Sequence, residues 1–336
     1  MSDRTMKKLL FALFAVLIVP AVNAQGFRPP PFIGGVPGMS QMQGLQTARQ
    51  NARTLLYREA LEELRKNPKA ADYAPCPPGV TDTVCAPRVD ISTAAVEGTP
   101  QIRKRVALLI GNNTYSEPVP KLETPITDIE RIGKILREQF GYEVTVLRNA
   151  TKAATARALN QLASTVSADD SVLVFYAGHG YLMEDVKMGY WLPVDASAKT
   201  ATNWISNEDI SRFLAAIPAR QLILVSDSCY SGTLTREFRI TGSGKVDADE
   251  VLRKRSVIAF SSGGDEPVSD EGKGGHSIFA WHFINVLTSS KGLTPGNNVF
   301  TEVRQRVLKD YPQTPQYGAV VSAGHATGGE YLFGAK

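Results

Sequence analysis

Two short stretches of the sequence could carry nucleophilic chemistry: SDSCYSG, which contains Cys229, and YAGHG, which contains His179. Cys229 follows an apolar run that ends at Val225, so we expect Ser226 and the residues after it to lie in a turn where a thiol is reachable. A thiol attacks well only as the thiolate, so it needs a base or a cationic partner nearby. His179 also follows an apolar run and has glycine on each side, which leaves its ring free to serve as that partner.

Each residue also has a plainer interpretation. A cysteine near the end of an apolar strand is often a small buried hydrophobe, and His179 could be a structural loop residue. The other three histidines are weaker partners for a thiol. His282 lies inside a helical stretch, and His276 precedes that stretch and could be a simple loop residue. His325 lies where no strand is predicted.

Alternating strands and helices from residue 103 onward must position the two motifs. Strands are predicted at 106–111, 143–149, 257–262 and about 330–333. Two more are predicted within 171–180 and 221–232, where each strand runs into its motif loop. Helices are predicted from Thr124-Pro125 to Gly141, over 151–167, from Ser206, and over 277–287 and 300–311. This order predicts an α/β protein, a three-layer sandwich with a mostly parallel central sheet flanked by helices. Both motifs then emerge at the carboxyl edge of the sheet, where such folds bind ligands.

The first 24 residues have the layout of a secretory signal peptide. Basic residues precede an apolar run from Leu9 to Val19, and small residues lead to a cleavage site after Ala24. The run falls short of the roughly 18 residues that suggest a membrane span. We therefore expect a periplasmic or secreted protein with no membrane span after signal removal.

Residues 25–100 form an N-terminal extension rich in Pro and Gly, with one helix predicted at about 40–66. Cys76 and Cys85 lie in this extension. With eight residues between them and no CxxC or nearby histidine, they are predicted to form a disulfide loop and not a metal site. That pairing leaves Cys229 as the unpaired cysteine.

Composition excludes some classes of protein. The chain has 336 residues, of which 43% are hydrophobic, and a formal charge of +4. The first 24 residues hold three basic residues and one acid, so the rest carries +2, too little to predict binding to nucleic acid or an acidic membrane. Hydrophobic content and length fit one globular domain of about 230 to 240 residues. We place that domain at 101–336.

The two motifs resemble those of the caspase-like cysteine peptidases, peptidase family C14, and the metacaspase-like and bacterial members more than the animal caspases. YAGHG matches the histidine motif of the family and DSCYSG its cysteine motif, about 50 residues later, as the family spacing requires. ALLIGNNTY and GEYLF resemble the first and last strands. The resemblance covers residues 103–333 and implies a caspase-like fold with a large part at 101–234, a linker at 235–256 and a small part at 257–336.

The resemblance implies a role for each matched residue. Cys229 would attack the scissile carbonyl, and His179 would protonate the leaving amine. The backbone amides of Gly180 and Cys229 would form the oxyanion hole. Tyr230 departs from the histidine that many metacaspases have at this position, and nothing in the sequence explains this difference.

The residue two positions before the nucleophile indicates the substrate. Asp227 stands there, as in metacaspases, where animal caspases have glutamine. A carboxylate at the base of a pocket favours a basic side chain, so cleavage after Arg or Lys is predicted. Asp128 falls where metacaspases place a second pocket carboxylate, and Ser261 is a weaker pocket candidate. Asp227 could instead cap a turn, and Asp128 could serve the dipole of its helix.

Two further properties remain open. The linker 235–256 is polar and rich in basic residues, so it could be a self-processing site or simply an exposed loop. Some metacaspases need calcium, but the acids nearest the histidine motif lack the spacing of a calcium loop. These acids are Asp169, Asp170, Glu184, Asp185 and Asp195. No cofactor is predicted, and calcium stays open.

The sequence thus predicts a cysteine endopeptidase that acts on proteins or peptides. The alternative is an interaction or scaffold protein on the same fold with weak or latent activity. A serine hydrolase is disfavoured because Ser228 and Ser231 lack a GxSxG context. The oligomeric state, the natural substrate and the role of residues 25–100 do not follow from the sequence.

Overall fold

The computed structural model describes residues 96–97, 102–183, 188–228, 246–264 and 272–335. Its helices are α1 (Pro125–Phe140), α2 (Lys152–Thr165), α3 (Asn207–Ala216), α4 (Ala248–Arg253), α5 (Ile278–Ser289) and α6 (Gly296–Asp310). Its strands are β1 (Val96–Glu97), β2 (Arg105–Gly111), β3 (Tyr142–Arg148), β4 (Ser171–Ala177), β5 (Gly180–Met183), β6 (Met188–Trp191), β7 (Ile205–Ser206), β8 (Gln221–Asp227), β9 (Val246–Asp247), β10 (Ser256–Ser261), β11 (Gly272–Lys273), β12 (His276–Ser277), β13 (Leu293–Pro295), β14 (Gln316–Ala319) and β15 (Leu332–Gly334).

The central sheet has six strands in the order β14-β10-β8-β4-β2-β3. All neighbours are parallel except β10 and β14, which are antiparallel. The inner strands β4 and β8 are buried along their whole length, as their continuous apolar runs predict. The mostly parallel sheet predicted from the sequence is therefore confirmed.

Alternate residues of each inner strand face opposite layers, because side chains in a strand point alternately to the two faces. On one face Leu109 and Phe175 pack with residues of α1, α5 and α6. On the other face Leu108 and Val174 pack with residues of α2 and α3. The two clusters confirm the three-layer arrangement.

Local sequence signals set several helix ends. Thr124 is the N-cap of α1, Pro125 is its first residue, and Gly141 ends it with φ 71°. Ser206 and Asp209 form a capping box at the start of α3, as predicted. The helix predicted at 300–311 starts earlier, at Gly296, directly after Pro295, which ends β13 and is the N-cap of the helix.

The sequence does not predict several short strands and one short helix that the structure contains. A three-stranded antiparallel sheet, β5-β6-β7, follows the histidine motif. The predicted linker 235–256 contains β9 and α4, and β9 pairs in parallel with β1 of the N-terminal extension. The strand predicted near 330–333 is β15, which pairs with β13 and lies outside the central sheet. Strands of two to four residues carry too little periodicity to be recognised alone.

In the described ranges, no helix combines the length and apolar character needed to cross a membrane. Cys76, Cys85, the cleavage site after Ala24 and the helix predicted at 40–66 lie outside the described residues, as do Cys229 and Tyr230. The corresponding predictions stay predictions.

Candidate active site

The carboxyl ends of β4 and β8 meet at one edge of the sheet, as predicted for the two motifs. Ala177 of β4 pairs with Asp227 of β8, and the Gly178 amide donates a hydrogen bond of 3.3 Å to the Asp227 carbonyl. His179 therefore follows the end of one strand while Ser228, the residue before Cys229, follows the end of its neighbour. The backbone thus brings the histidine motif next to the chain segment that leads into the cysteine.

The His179 ring is oriented by a backbone carbonyl. His179 Nε2 lies 2.9 Å from the Pro120 carbonyl oxygen. A carbonyl oxygen only accepts hydrogen bonds, so this contact makes Nε2 the protonated nitrogen. In the neutral ring Nδ1 is then the basic nitrogen. Pro120 was missed in the sequence because nothing local links it to a residue 59 positions away.

Tyr115 supports the same histidine. Its hydroxyl oxygen accepts a 2.9 Å hydrogen bond from the His179 amide, and its ring centroid lies 4.7 Å from that of the imidazole. Tyr115 is buried in a small apolar cluster with Val119 and Trp204, which fixes the loop that carries Pro120.

A stacked aromatic pair, Tyr176 and Trp191, supports the backbone of both motifs. The rings of Tyr176 and Trp191 lie 4.2 Å apart and nearly parallel. The Tyr176 hydroxyl lies 2.9 Å from the His179 carbonyl oxygen and 3.0 Å from that of Leu192, so its one hydrogen is shared between these two acceptors. Burial holds the pKa of Tyr176 well above its usual value, so this hydroxyl remains a donor at neutral pH.

The other member of the pair reaches the cysteine motif. Trp191 Nε1 donates a 3.1 Å hydrogen bond to Ser226 Oγ, which lies 3.0 Å from Ser228 Oγ. Ser226 and Ser228 are both buried. The stacked pair of Tyr176 and Trp191 therefore contacts both motifs: Tyr176 binds the His179 carbonyl, and Trp191 binds Ser226, which contacts the residue directly before Cys229.

Gly178 is required by this packing. A Cβ atom at Gly178 would lie 2.7 Å from the Tyr115 hydroxyl oxygen and 2.9 Å from that of Tyr176. Only glycine lets the chain pass between the two hydroxyls. Gly180, the predicted oxyanion-hole residue, follows as the first residue of β5, opposite Trp191.

Ser226 and Asp227 belong to β8, so the prediction that they lie in a turn is wrong. Pairing on both sides, of Asp227 with Ala177 and of Ser226 with Ser261, extends the strand beyond its apolar run. Asp227 is 6% exposed. Its Oδ2 accepts a 2.5 Å hydrogen bond from Ser277 Oγ.

Ser277 also connects Asp227 to the second predicted pocket carboxylate. The Ser277 amide lies 3.4 Å from Asp128 Oδ2. Asp128 Oδ1 lies 2.6 Å from His276 Nδ1. Burial raises the pKa of Asp128, and the hydrogen bond and charge of His276 act against that rise. The structure therefore groups Asp128 and Asp227 around the start of α5, although they are distant in sequence.

The interpretation of His276 as a simple loop residue is wrong. His276 lies in β12, and its contact with Asp128 spans 148 positions of the chain. Ser261 is buried at the end of β10, and its hydroxyl donates to the Gly263 carbonyl at 2.8 Å. His282 is buried against Asp310, and His325 Nδ1 lies 3.1 Å from the Val257 amide.

The acids considered for calcium have protein partners where the structure describes them. Asp169 pairs with Arg220, Asp170 lies 2.6 Å from Arg103, and Asp195 accepts from the Lys152 amide at 2.8 Å. In the described part of the chain, no group of three or more His, Cys, Asp or Glu side chains is arranged to hold a metal ion.

The family model of the caspase domain matches residues 104–322. This match covers more than half of the chain, which therefore belongs to the caspase-domain family of cysteine peptidases. The family membership inferred from the two motifs is confirmed.

Individual relatives are distant. Metacaspase-7 of Arabidopsis thaliana is 29% identical over 46% of this chain and 41% of its own, and Metacaspase-1B of Aspergillus oryzae is 29% identical over 61% and 50%. The mouse homolog of mucosa-associated lymphoid tissue lymphoma translocation protein 1 is 35% identical over 30% of this chain and 11% of its own. The chain thus spans half or less of the length of these relatives. A solved protein from Geobacter sulfurreducens aligns with TM-score 0.49 and 18% identity, over 68% of this chain and 99% of that one.

Proposed function

We propose that the protein is a secreted or periplasmic cysteine endopeptidase in which Cys229 is the nucleophile and His179 its proton carrier. The observation that carries the proposal is the placement of His179. Its Nε2 is held by the Pro120 carbonyl, and it lies beside the strand that leads into Cys229. A ring held in one orientation by a hydrogen bond at Nε2 is the arrangement that nucleophilic catalysis requires of a proton carrier.

The proposed reaction has two steps. His179 Nδ1 takes the thiol proton, and the sulfur of Cys229 attacks the scissile carbonyl carbon. The oxyanion is stabilised by the Gly180 and Cys229 amides, and the C–N bond breaks as His179 gives its proton to the leaving amine. Water, deprotonated by His179, then cleaves the thioester and regenerates the thiol.

The proposed substrate carries Arg or Lys before the cleaved bond. Asp227 supports this choice because it is a buried carboxylate on the strand that leads to the nucleophile, with Asp128 close by. A buried carboxylate pairs most favourably with a hydrogen-bonding cation. Ser261 contributes less, because its buried hydroxyl carries no charge to pair with the cation.

A panel of fluorogenic peptides with different residues before the reporter tests both the proposed catalytic residues and the proposed preference for Arg or Lys. Wild type should cleave the Arg and Lys peptides, and Cys229→Ala and His179→Ala should each lose activity by about 100-fold or more. An irreversible arginyl chloromethylketone should label Cys229 in wild type but not in His179→Ala. Activity confined to Asp peptides contradicts the substrate, and absence of both cleavage and labelling favours the scaffold alternative.

The compartment needs its own test. Expression of the full chain in a Gram-negative host should yield a periplasmic protein whose first residue is Gln25. An intact N-terminus on a cytoplasmic product contradicts this part of the proposal.

A further inference from the structure

Asp128 is fully buried in this structure. Its relative exposure is 0%, whereas that of Asp227 is 6%. His276 Nδ1 lies 2.6 Å from one carboxylate oxygen of Asp128, and the Ser277 amide faces the other. A substrate side chain can therefore reach Asp128 only if this arrangement opens.

The imidazole of His276 lies at the outer side of this contact. Its side chain is 12% exposed, while that of Asp128 has no exposed area. Because the His276 side chain keeps accessible surface and Asp128 does not, the imidazole is the part of this pair that solvent or a ligand meets first.

The hairpin of β11 and β12 holds His276 in place. Lys273, the β11 partner of His276, forms an ion pair of 2.6 Å through its Nζ with Asp310 of α6. In the turn, a Cβ atom at Gly274 would lie 2.8 Å from the ring of Trp281, so the turn packs directly on α5. The hairpin that carries His276 to Asp128 is therefore fixed by contacts with both α5 and α6.

We propose that His276 is a specificity-determining residue. It keeps Asp128 in a hydrogen bond with its own imidazole, so that Asp227 is the carboxylate that binds the basic substrate residue. This inference rests on the proposed function. Because Asp227 Oδ2 already accepts from Ser277, this carboxylate favours Arg over Lys less than a carboxylate that binds through both oxygens. Two carboxylates would favour Arg, whose planar group presents five donors in a fixed fork. His276 therefore limits the preference for Arg over Lys.

The measurement is the ratio of kcat/KM for matched Arg and Lys peptides. His276→Ala uncovers Asp128 and should raise the Arg to Lys ratio about five- to tenfold. His276→Asn places an amide nitrogen near the position of Nδ1, so it should keep Asp128 occupied and keep the ratio of wild type. Adding Asp128→Asn to His276→Ala should return the ratio to that of wild type.

His325→Ala is the matched control, because it removes an imidazole that lies 3.1 Å from the Val257 amide, in another part of the fold. An unchanged ratio in His276→Ala, or an equal rise in His325→Ala, would overturn the inference while leaving the proposed function intact. If wild type labels at Cys229 but cleaves neither basic peptide, the basic specificity fails and this inference fails with it.

The same ratio can be obtained without catalysis. Calorimetric binding of Arg-terminated and Lys-terminated peptide amides to Cys229→Ala protein, with and without His276→Ala, should show the same shift toward Arg. Equal relative affinities in the two proteins would contradict the role of His276 even if some variants lose activity through misfolding.

Discussion

Ser277 Oγ donates a hydrogen bond of 2.5 Å to Asp227 Oδ2 and accepts one of 2.9 Å from the Ala280 amide. The same hydroxyl therefore caps α5 and fixes the carboxylate on β8 that is proposed to select the substrate. The N-cap of α5 and the proposed substrate pocket therefore depend on the same group. Loss of the Ser277 hydroxyl removes both the helix cap and a hydrogen-bond donor to the buried Asp227 carboxylate.

Ser277→Ala should lower the free energy of unfolding by about 1–3 kcal/mol and raise KM for an Arg peptide several-fold. Urea unfolding and steady-state kinetics measure the two effects. Ser277→Thr, which keeps the hydroxyl, should restore most of both. Ser206→Ala is the control, because it removes the cap of α3, away from the pocket. If both alanine variants change KM equally, the Asp227 contact has no role in substrate binding.

Tyr176→Phe should reduce kcat about tenfold and change KM by less than about twofold. The substitution keeps the stacked ring but removes the hydroxyl that donates to the His179 carbonyl. His179 would then be less well positioned, while the pocket around Asp227 stays intact. Kinetics over pH 6–9, with the rate of iodoacetamide labelling of Cys229, measure the effect. Tyr190→Phe is the control, because it removes a phenol hydroxyl and keeps the ring that packs on Trp204. A kcat equal to that of wild type would contradict this role.

Much of the site could be predicted because the motif residues follow long apolar strands. The runs that end before Gly178 and at Val225 predict neighbouring parallel strands, and a parallel sheet places their ends together. Asp128 and Asp227 were found by resemblance. Their meeting at Ser277 could not be predicted from local pattern.

The supporting residues escaped prediction for a different reason. Pro120 acts through its backbone carbonyl, so its side chain gives no signal. His276 lies in a two-residue strand whose partner is far away in sequence. The sequence pattern around Tyr176 and Trp191 is that of ordinary core residues. Only the tertiary structure places the Tyr176 hydroxyl and Trp191 Nε1 against the motif residues.

If the linker is self-processed, the cleavage should not fall after Arg255. The Arg255 guanidinium donates to three backbone carbonyls, those of Leu214, Ala219 and Ala323. The next residue, Ser256, already belongs to β10 inside the sheet. Cutting there would require removing a central strand, which costs far more than opening an exposed loop.

Intact-mass analysis and N-terminal sequencing of wild type measure this, with Cys229→Ala as the uncut reference. Any new N-terminus should follow a basic residue before Val246, and the bond between Arg255 and Ser256 should stay intact. A fragment that begins at Ser256 in wild type only would contradict the prediction.

Glu330→Gln should remove part of the pH dependence of stability. Glu330 is buried; it accepts hydrogen bonds from the Tyr317 hydroxyl at 2.5 Å and from the Tyr331 amide at 2.8 Å. Burial raises its pKa from 4.5 to about 7. The folded state therefore binds this proton more tightly than the unfolded state does. The stabilisation is complete below pH 4.5 and is lost as the pH rises through about 7.

Glutamine keeps an acceptor at this position without a charge, so the variant should gain about 2–3 kcal/mol over wild type at pH 8 and little at pH 5. The free energy of urea unfolding, measured for both proteins at both pH values, gives the difference directly and cancels the contributions of other titrating groups. Glu302→Gln is the control, because Glu302 pairs with Arg306 on the exposed face of α6. Since a proton bound to Glu330 is what stabilises the folded state, an equal gain for Glu330→Gln at pH 5 and pH 8 would mean that Glu330 is already ionised in the folded protein at pH 5.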